Sequence, residues 1–297
     1  MTNINIPTYS ELYKLTKRRL KGLRKIAQNR DNFGMGDELL LVLLGNMNQR
    51  LNTMFFLIQS DISDGVYPLQ RTFFEMQVAY QAIMKSDNKD VFFKFYLEKN
   101  EFETANKVNR FISDNESTIQ NTIEPWERKY ISSTRDAANE TLKKSNKSVN
   151  MKGNKQFKLW FELASNKSLL ELSEEFWDSY RYYICYDEPS NWVHTQRLEM
   201  NMNVDDFSMA MQTNYYQCML NALLHDSNFL LEAMNDFKEY IQIKDSKQFD
   251  IYNYKLVLFI KNLKIALEEL SKNSYNAEEA NKIKEETKDS FNKKEIL

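Results

Sequence analysis

At 297 residues, with 42% hydrophobic and 28% charged side chains, the chain can bury a substantial core in one large or two modest domains. Six glycines and four prolines are too few for an enzyme built on phosphate-cradling loops or many tight turns, so the composition points to a helix-dominated protein. A net charge of −2 excludes a global field that would drive the protein onto nucleic acid or a membrane.

In chain order, Pro7 and Ser10 open a first helix running to about Asn29. Its apolar stripe is Leu12, Leu20, Leu23 and Ala27, while Lys14, Lys17, Arg18, Lys21, Arg24 and Lys25 fall on another side. This basic amphipathic helix is suited to RNA, an acidic lipid surface or an acidic protein partner, with Lys14, Lys17 and Lys21 as contact residues. The alternative is an ordinary solvated face. Asp37 is placed to cap a second helix, Glu38 to about Gln59, and Pro68 to start a third, Leu69 to Met84. A fourth, Asp90 to about Ile112, carries Phe92, Phe93, Phe95 and Tyr96 as an aromatic face. The polar segment Glu116 to Lys144 is interrupted by Pro125 and predicts a kinked or two-piece peripheral arm around 114–145.

Residues 145–155, rich in Ser, Lys and Asn, form the best linker. Short helices follow over 157–163 and 169–176, then a long helix from Asp205 or Asp206 to about Tyr240, and another from Phe249 to Leu270. Residues 271–297 mix Lys and Glu with few apolar side chains and predict a frayed tail. The expectation is an all-α, multi-helix bundle over 33–270, preceded by the basic helix of 1–32.

Leu39 to Leu44, the longest purely aliphatic run, is far too short to span a bilayer, and no apolar h-region follows the N-terminal residues. Cys185 and Cys218 lie in apolar segments and read as reduced core thiols. A cytoplasmic protein without a membrane span is expected.

Chemistry concentrates in Tyr186-Asp187-Glu188-Pro189-Ser190-Asn191-Trp192-Val193-His194, which holds one of only two histidines. Asp187 can cap a helix and Pro189 can sit in its first turn, which places Ser190 and His194 on one face. Arg71 and Glu75 form a second polar pair at the same spacing on an apolar helix. The two pairs are expected to meet, with Tyr186 and Arg181 beside them.

Arg71-x-x-x-Glu75 on a helix begun by a proline, an aromatic helix after it, Trp160, and Tyr186-x-x-x-Ser190-x-x-x-His194 together resemble a bacterial family of all-helical proteins that carries a domain-of-unknown-function label. The pattern spans about Asn46 to His225. Its helical layout and polar set are similar to HEPN domains, which are helical, usually dimeric RNases of toxin and phage-defence systems, often independent of metal. The resemblance implies RNA or a nucleotide as partner and a homodimer as assembly. The usual HEPN signature sets an arginine four to six residues before a histidine. Here the positions before His194 hold Asp187, Glu188 and Pro189, so the arginine would be Arg71.

Metal-free RNA cleavage needs a base near neutral pKa for the 2′-hydroxyl and a fixed cation for the phosphorane charge, roles open to His194 and Arg71. Glu75 could hold Arg71, and Ser190 could orient His194 or touch the phosphate. The competing reading is structural: Arg71 and Glu75 as an intrahelical ion pair, Ser190 as a cap, His194 as a bond between helices, in a non-enzymatic interaction or ligand-sensing protein. The sequence calls for no cofactor and no metal, because His194, His225, Cys185 and Cys218 lack paired ligand spacing and no Glu stands three residues before a histidine. Ser190 lacks the elbow glycines of a hydrolase triad.

Overall fold

The computed structural model describes residues 9–62, 65–148, 159–193, 213–243, 247–273 and 276–292. Among them every regular element is a helix and none is a strand, so the fold is all-α as the sequence predicts. None of these helices is long and apolar enough to cross a membrane. The chain divides into two compact units: Met1–Phe33, Asp37–Gln81 and Ser173–Leu297 form one, Gly34–Gly36 and Ala82–Leu172 the other.

In the first unit, α1 (Tyr9–Ala27) turns Tyr9, Leu12, Leu23 and Ala27 inward and packs on α12 (Lys247–Lys272). The basic helix is thus part of the bundle, not a separate segment. α2 (Met35–Gln59) buries Leu39 to Leu41, Leu43, Leu44, Met47, Leu51, Met54 and Ile58, which wrap much of its circumference and mark it as central. Buried Asn48 accepts from the Tyr9 hydroxyl at 3.2 Å and donates to the Tyr13 carbonyl at 3.2 Å, so a polar group in the core is paired at both ends.

Asp37 does not cap α2. The helix starts two residues earlier, and the buried Asp37 carboxylate accepts from the Tyr240 hydroxyl at 2.7 Å. Likewise α3 (Val66–Lys85) begins before Pro68, which sits in its first turn, where a missing N–H is harmless. Asp61, at φ +56°, and Gly65, at φ +96°, both adopt left-handed backbone near the reversal between α2 and α3. α3 is tied to α11 (Thr213–Tyr240) by the Tyr80 hydroxyl, which donates to the Ala233 carbonyl at 2.7 Å. Predicted helix residues 205–212 lie outside the described residues.

The charge-rich C-terminus does not fray over its middle part. α13 (Ala277–Asn292) is helical and buries Ala280, Thr287 and Phe291 against the unit. Phe291 joins an aromatic group with Phe55 and Phe259, each centroid 5.6 Å away. Asp61 receives both the Lys284 ammonium, at 2.8 Å, and that of Lys288. One apolar residue per turn, plus two cations aimed at one carboxylate, docks a helix that composition alone scores as soluble.

In the second unit, α4 (Lys89–Asp114) is followed by the short α5 (Glu116–Thr122) and by α6 (Pro125–Ser148), with Pro125 at the first helical position. α6 runs back along α4, where Asn109 Nδ2 donates to Asn139 Oδ1 at 2.7 Å. The two-piece arm is therefore a helical hairpin. Helix continues to Ser148, so the first residues of the predicted linker are helical, and 149–155 lie outside the described residues. α7 (Trp160–Ser165) also packs on α4, its Trp160 ring standing edge-on to Tyr96 at 5.4 Å. The buried Glu162 carboxylate accepts from the Leu159 and Leu169 amides, both at 2.7 Å, and so joins the start of α7 to the start of α8 (Leu169–Phe176). Gly36 is required by proximity: a Cβ there would overlap the backbone of Lys89.

Candidate functional site

Two stretches separated by more than a hundred positions build the candidate site within the first unit. α3 supplies Arg71, Thr72 and Glu75. The other stretch is one continuous helix: α9 (Ser179–Tyr182), a π-helical turn (Tyr183–Asp187) and α10 (Glu188–Val193). Its N-cap is Asp178, whose Oδ1 accepts from the Arg181 amide at 2.9 Å. Asp187 is therefore no cap, and Pro189 does not open a helix. A proline inside an α-helix collides with the carbonyl four residues back, here that of Cys185. The wide turn before Pro189, closed by the Glu188 amide on the Tyr183 carbonyl, gives the ring room.

Arg71 and Tyr186 meet. Arg71 Nη2 donates to the Tyr186 hydroxyl at 3.2 Å, and the guanidinium carbon lies 4.9 Å from the Tyr186 ring centroid. Arg71 Nε stands 3.7 Å from Glu75 Oε1, an ion-pair separation rather than a hydrogen bond, and both side chains are about a quarter exposed, at 26% and 23%. Arg50 of α2 reaches the same region, its Nε donating to Thr72 Oγ1 at 2.9 Å. Burial draws the Arg50 pKa down, and the negative charge of Glu75 acts in the opposite sense. Glu75 is thus flanked by two guanidinium groups, leaving the cluster one positive charge in excess.

Ser190 joins the cluster through Tyr186, but its hydroxyl donates to the Tyr186 carbonyl at 2.6 Å, a bond inside its own helix. His194 lies outside the described residues. Arg181 serves a different cluster. Its guanidinium lies over the Trp177 ring at 4.6 Å and near Phe229 at 5.6 Å. Trp177 and Tyr182 pack against Phe74 as core aromatics, while Tyr180 and Tyr183 are exposed. Lys14, Lys17 and Lys21 stand exposed on α1, with Lys17 over the Tyr13 ring at 5.5 Å.

The cluster around Arg181 was not foreseen. Asp226 is fully buried, and its Oδ1 accepts from Gln77 Nε2 at 3.2 Å. Burial pushes the Asp226 pKa well above the usual carboxylate range, against the charge of Arg181 and the Gln77 hydrogen bond. Burial lowers the neighbouring His225, with Arg181 adding to the effect, and raises the Cys185 thiol far above its ordinary value. The available signal was Asp226 itself, an acid set in the apolar run of α11 opposite Gln77, a second polar residue at a core position.

Among the described residues no three of His, Cys, Asp and Glu converge to hold a metal ion. A cavity of about 540 Å³ lies beside Ser10, Asn52, Phe56 and Gln59, away from the residues around Arg71. What the Arg71 cluster can offer chemically is a pre-oriented cation: a guanidinium laid on a ring, braced by a carboxylate and about a quarter exposed.

No curated protein and no solved structure matches the chain. The model of the family described as "Family of unknown function (DUF5677)" matches residues 37–209, a stretch that carries α2, α3, the helical hairpin and the Arg71–Tyr186 pair, and the chain belongs to that family.

Proposed function

We propose that this protein is a helical ligand-sensing or interaction protein that binds a phosphate group, carried by RNA or a nucleotide, at the Arg71 cluster. One observation carries the reading: Arg71 is fixed on Tyr186 and beside Glu75, yet its side chain keeps 26% of its surface in solvent. Arginine binds phosphate through a planar, bidentate geometry, and a guanidinium already immobilised loses little further freedom on binding. Arg50, across Glu75, supplies the second positive charge.

The test is binding of a labelled single-stranded RNA and, separately, of a nucleoside triphosphate. Wild type binds one of the two, and Arg71→Lys weakens that binding about tenfold or more while the fold, read by circular dichroism, is kept. The salt dependence of RNA binding also becomes shallower in the variant. Equal affinity in wild type and variant for both probes removes the proposal.

A second reading makes the protein a metal-independent endoribonuclease of the toxin or phage-defence type, with His194 as base and Arg71 as charge stabiliser. It is favoured by chain connectivity: the helix that carries Tyr186 to Arg71 ends at Val193, the residue before His194. It predicts growth arrest on expression, relieved by His194→Ala, and RNA cleavage in the presence of a chelator. If His194→Ala and wild type arrest growth equally, this reading fails and the binding reading is untouched.

A further inference from the structure

α12 is apolar on two opposite faces, and only one is needed for folding. Tyr252, Leu256, Phe259 and Leu263 are at most 1% exposed and form the inner face. On the outer face Ile251 (52% exposed), Tyr254 (69%) and Ile265 (44%) stand in solvent, with half-buried Leu258 between them. Ile251, Tyr254, Leu258, Lys261 and Ile265 follow one another at intervals of three, four, three and four residues. That is the seam spacing of two helices packed side by side. A solitary surface helix has no use for a second apolar stripe, and a contiguous exposed one marks a contact surface.

We propose that this outer face of α12 pairs with α12 of a second copy of the chain, antiparallel, about a two-fold axis at Leu258. The charges on the helix select that partner and that direction. With Leu258 facing Leu258, residues equidistant from it meet: Ile251, seven before, faces Ile265, seven after. Tyr254 then comes opposite Lys261, an ammonium against a phenol ring. Asp250 comes opposite Lys264, and Lys247 opposite Glu268, all four exposed. Each contact occurs twice, once on either side of the axis. The parallel alternative would set Lys261 against Lys261 and Glu268 against Glu268, repulsions with nothing to offset them. The seam lies outside residues 37–209, so it is a property of this chain beyond its family segment, and it shares no residue with the Arg71 cluster.

Sedimentation of the full chain over a concentration series is the direct test. Wild type sediments as a dimer at the upper concentrations. Leu258→Asp places two carboxylates together at the axis and gives a monomer whose circular dichroism and melting are unchanged. Lys247→Glu and Glu268→Lys each weaken self-association about tenfold, since two ion pairs become two repulsions. Mixed in equal amounts, these two variants recover much of the wild-type affinity. In the antiparallel mixed pair the two substituted positions face each other with opposite charges at one end, and the unsubstituted Glu268 and Lys247 face each other at the other. A wild type that stays monomeric, a Leu258→Asp protein that remains a dimer, or a mixture no tighter than either variant alone overturns the proposal.

Discussion

The guanidinium of Arg71 lies over the ring of Tyr186 and also donates to its hydroxyl at 3.2 Å, joining α3 to the turn of helix 115 residues later. Two weak forces act through one pair of side chains, a stack worth about 0.5–1 kcal/mol at partly exposed sites and a charged hydrogen bond worth about 1.5–3 kcal/mol.

They can be separated by substitution. Tyr186→Phe keeps the ring and loses the acceptor, and is expected to destabilise the fold by about 1 kcal/mol. Arg71→Lys keeps the charge and loses the planar stack. A double-mutant cycle in urea should return a coupling energy of about 0.5 kcal/mol or more, and strict additivity would show that the contact contributes nothing.

Asp226 makes stability depend on pH in a direction unusual for a carboxylate. Its folded pKa is raised, chiefly by burial, so above its unfolded value near 3.8 the native state holds a proton that the unfolded chain releases. Stability is therefore lost as pH rises from about 4 through the folded pKa. Asp226→Asn keeps an oxygen for Gln77 Nε2 and carries no charge. It should raise the urea midpoint at pH 7 and flatten the pH dependence above pH 4. A lower midpoint at pH 7 would mean that the charge of Arg181 holds Asp226 ionised.

Asp61 behaves in the opposite sense. Burial alone would raise its pKa, but the bonds from Lys284 and Lys288 outweigh it and hold the carboxyl below its ordinary 3.8. The contribution is present above that value and disappears as pH falls through the folded pKa. The carboxylate is 39% exposed, so solvent screens much of it. Asp61→Asn should accelerate amide hydrogen exchange across Ala277–Asn292 more than elsewhere, and uniform exchange across the chain would sink the idea that this carboxylate clamps α13.

The two thiols should differ in reactivity. Cys185 is fully buried and burial drives its pKa far up, whereas Cys218, although also raised by burial, is exposed. A disulfide exchange reagent at mildly alkaline pH should modify one thiol in the native protein and two in urea, and Cys218→Ser should abolish the native reaction.

Long helices were legible because their apolar positions repeat at 3.6-residue spacing over many turns: α1, α2, α4 and α12 begin and end within a few residues of expectation. Pairing of α3 with the Tyr186 segment was legible from Arg71, Glu75 and Tyr186, polar residues that apolar surroundings force to find one another. Boundaries read from Asp37, Pro68 and Asp187 failed for one reason. Each is a residue favoured at helix starts, yet tertiary contacts, not local propensity, decide where these helices begin. Residues 271–297 misled because composition averages over faces, while α13 needs only Ala280, Thr287 and Phe291 on one side. The Asp226 cluster was hidden because a buried acid is visible in a sequence only once the inner face of its helix is known.

The turn formed by Tyr183–Asp187 accommodates one residue more than an α-turn would. Removing any one of those five would wind the segment into plain α-helix and re-phase its two halves by about 100°. Every motif letter on either side would survive, while Ser190 and Tyr186 would no longer point where they do. Relatives that lack Pro189 are thus free to be one residue shorter at this place, and an alignment column opened between Tyr183 and Asp187 is where such length variation belongs.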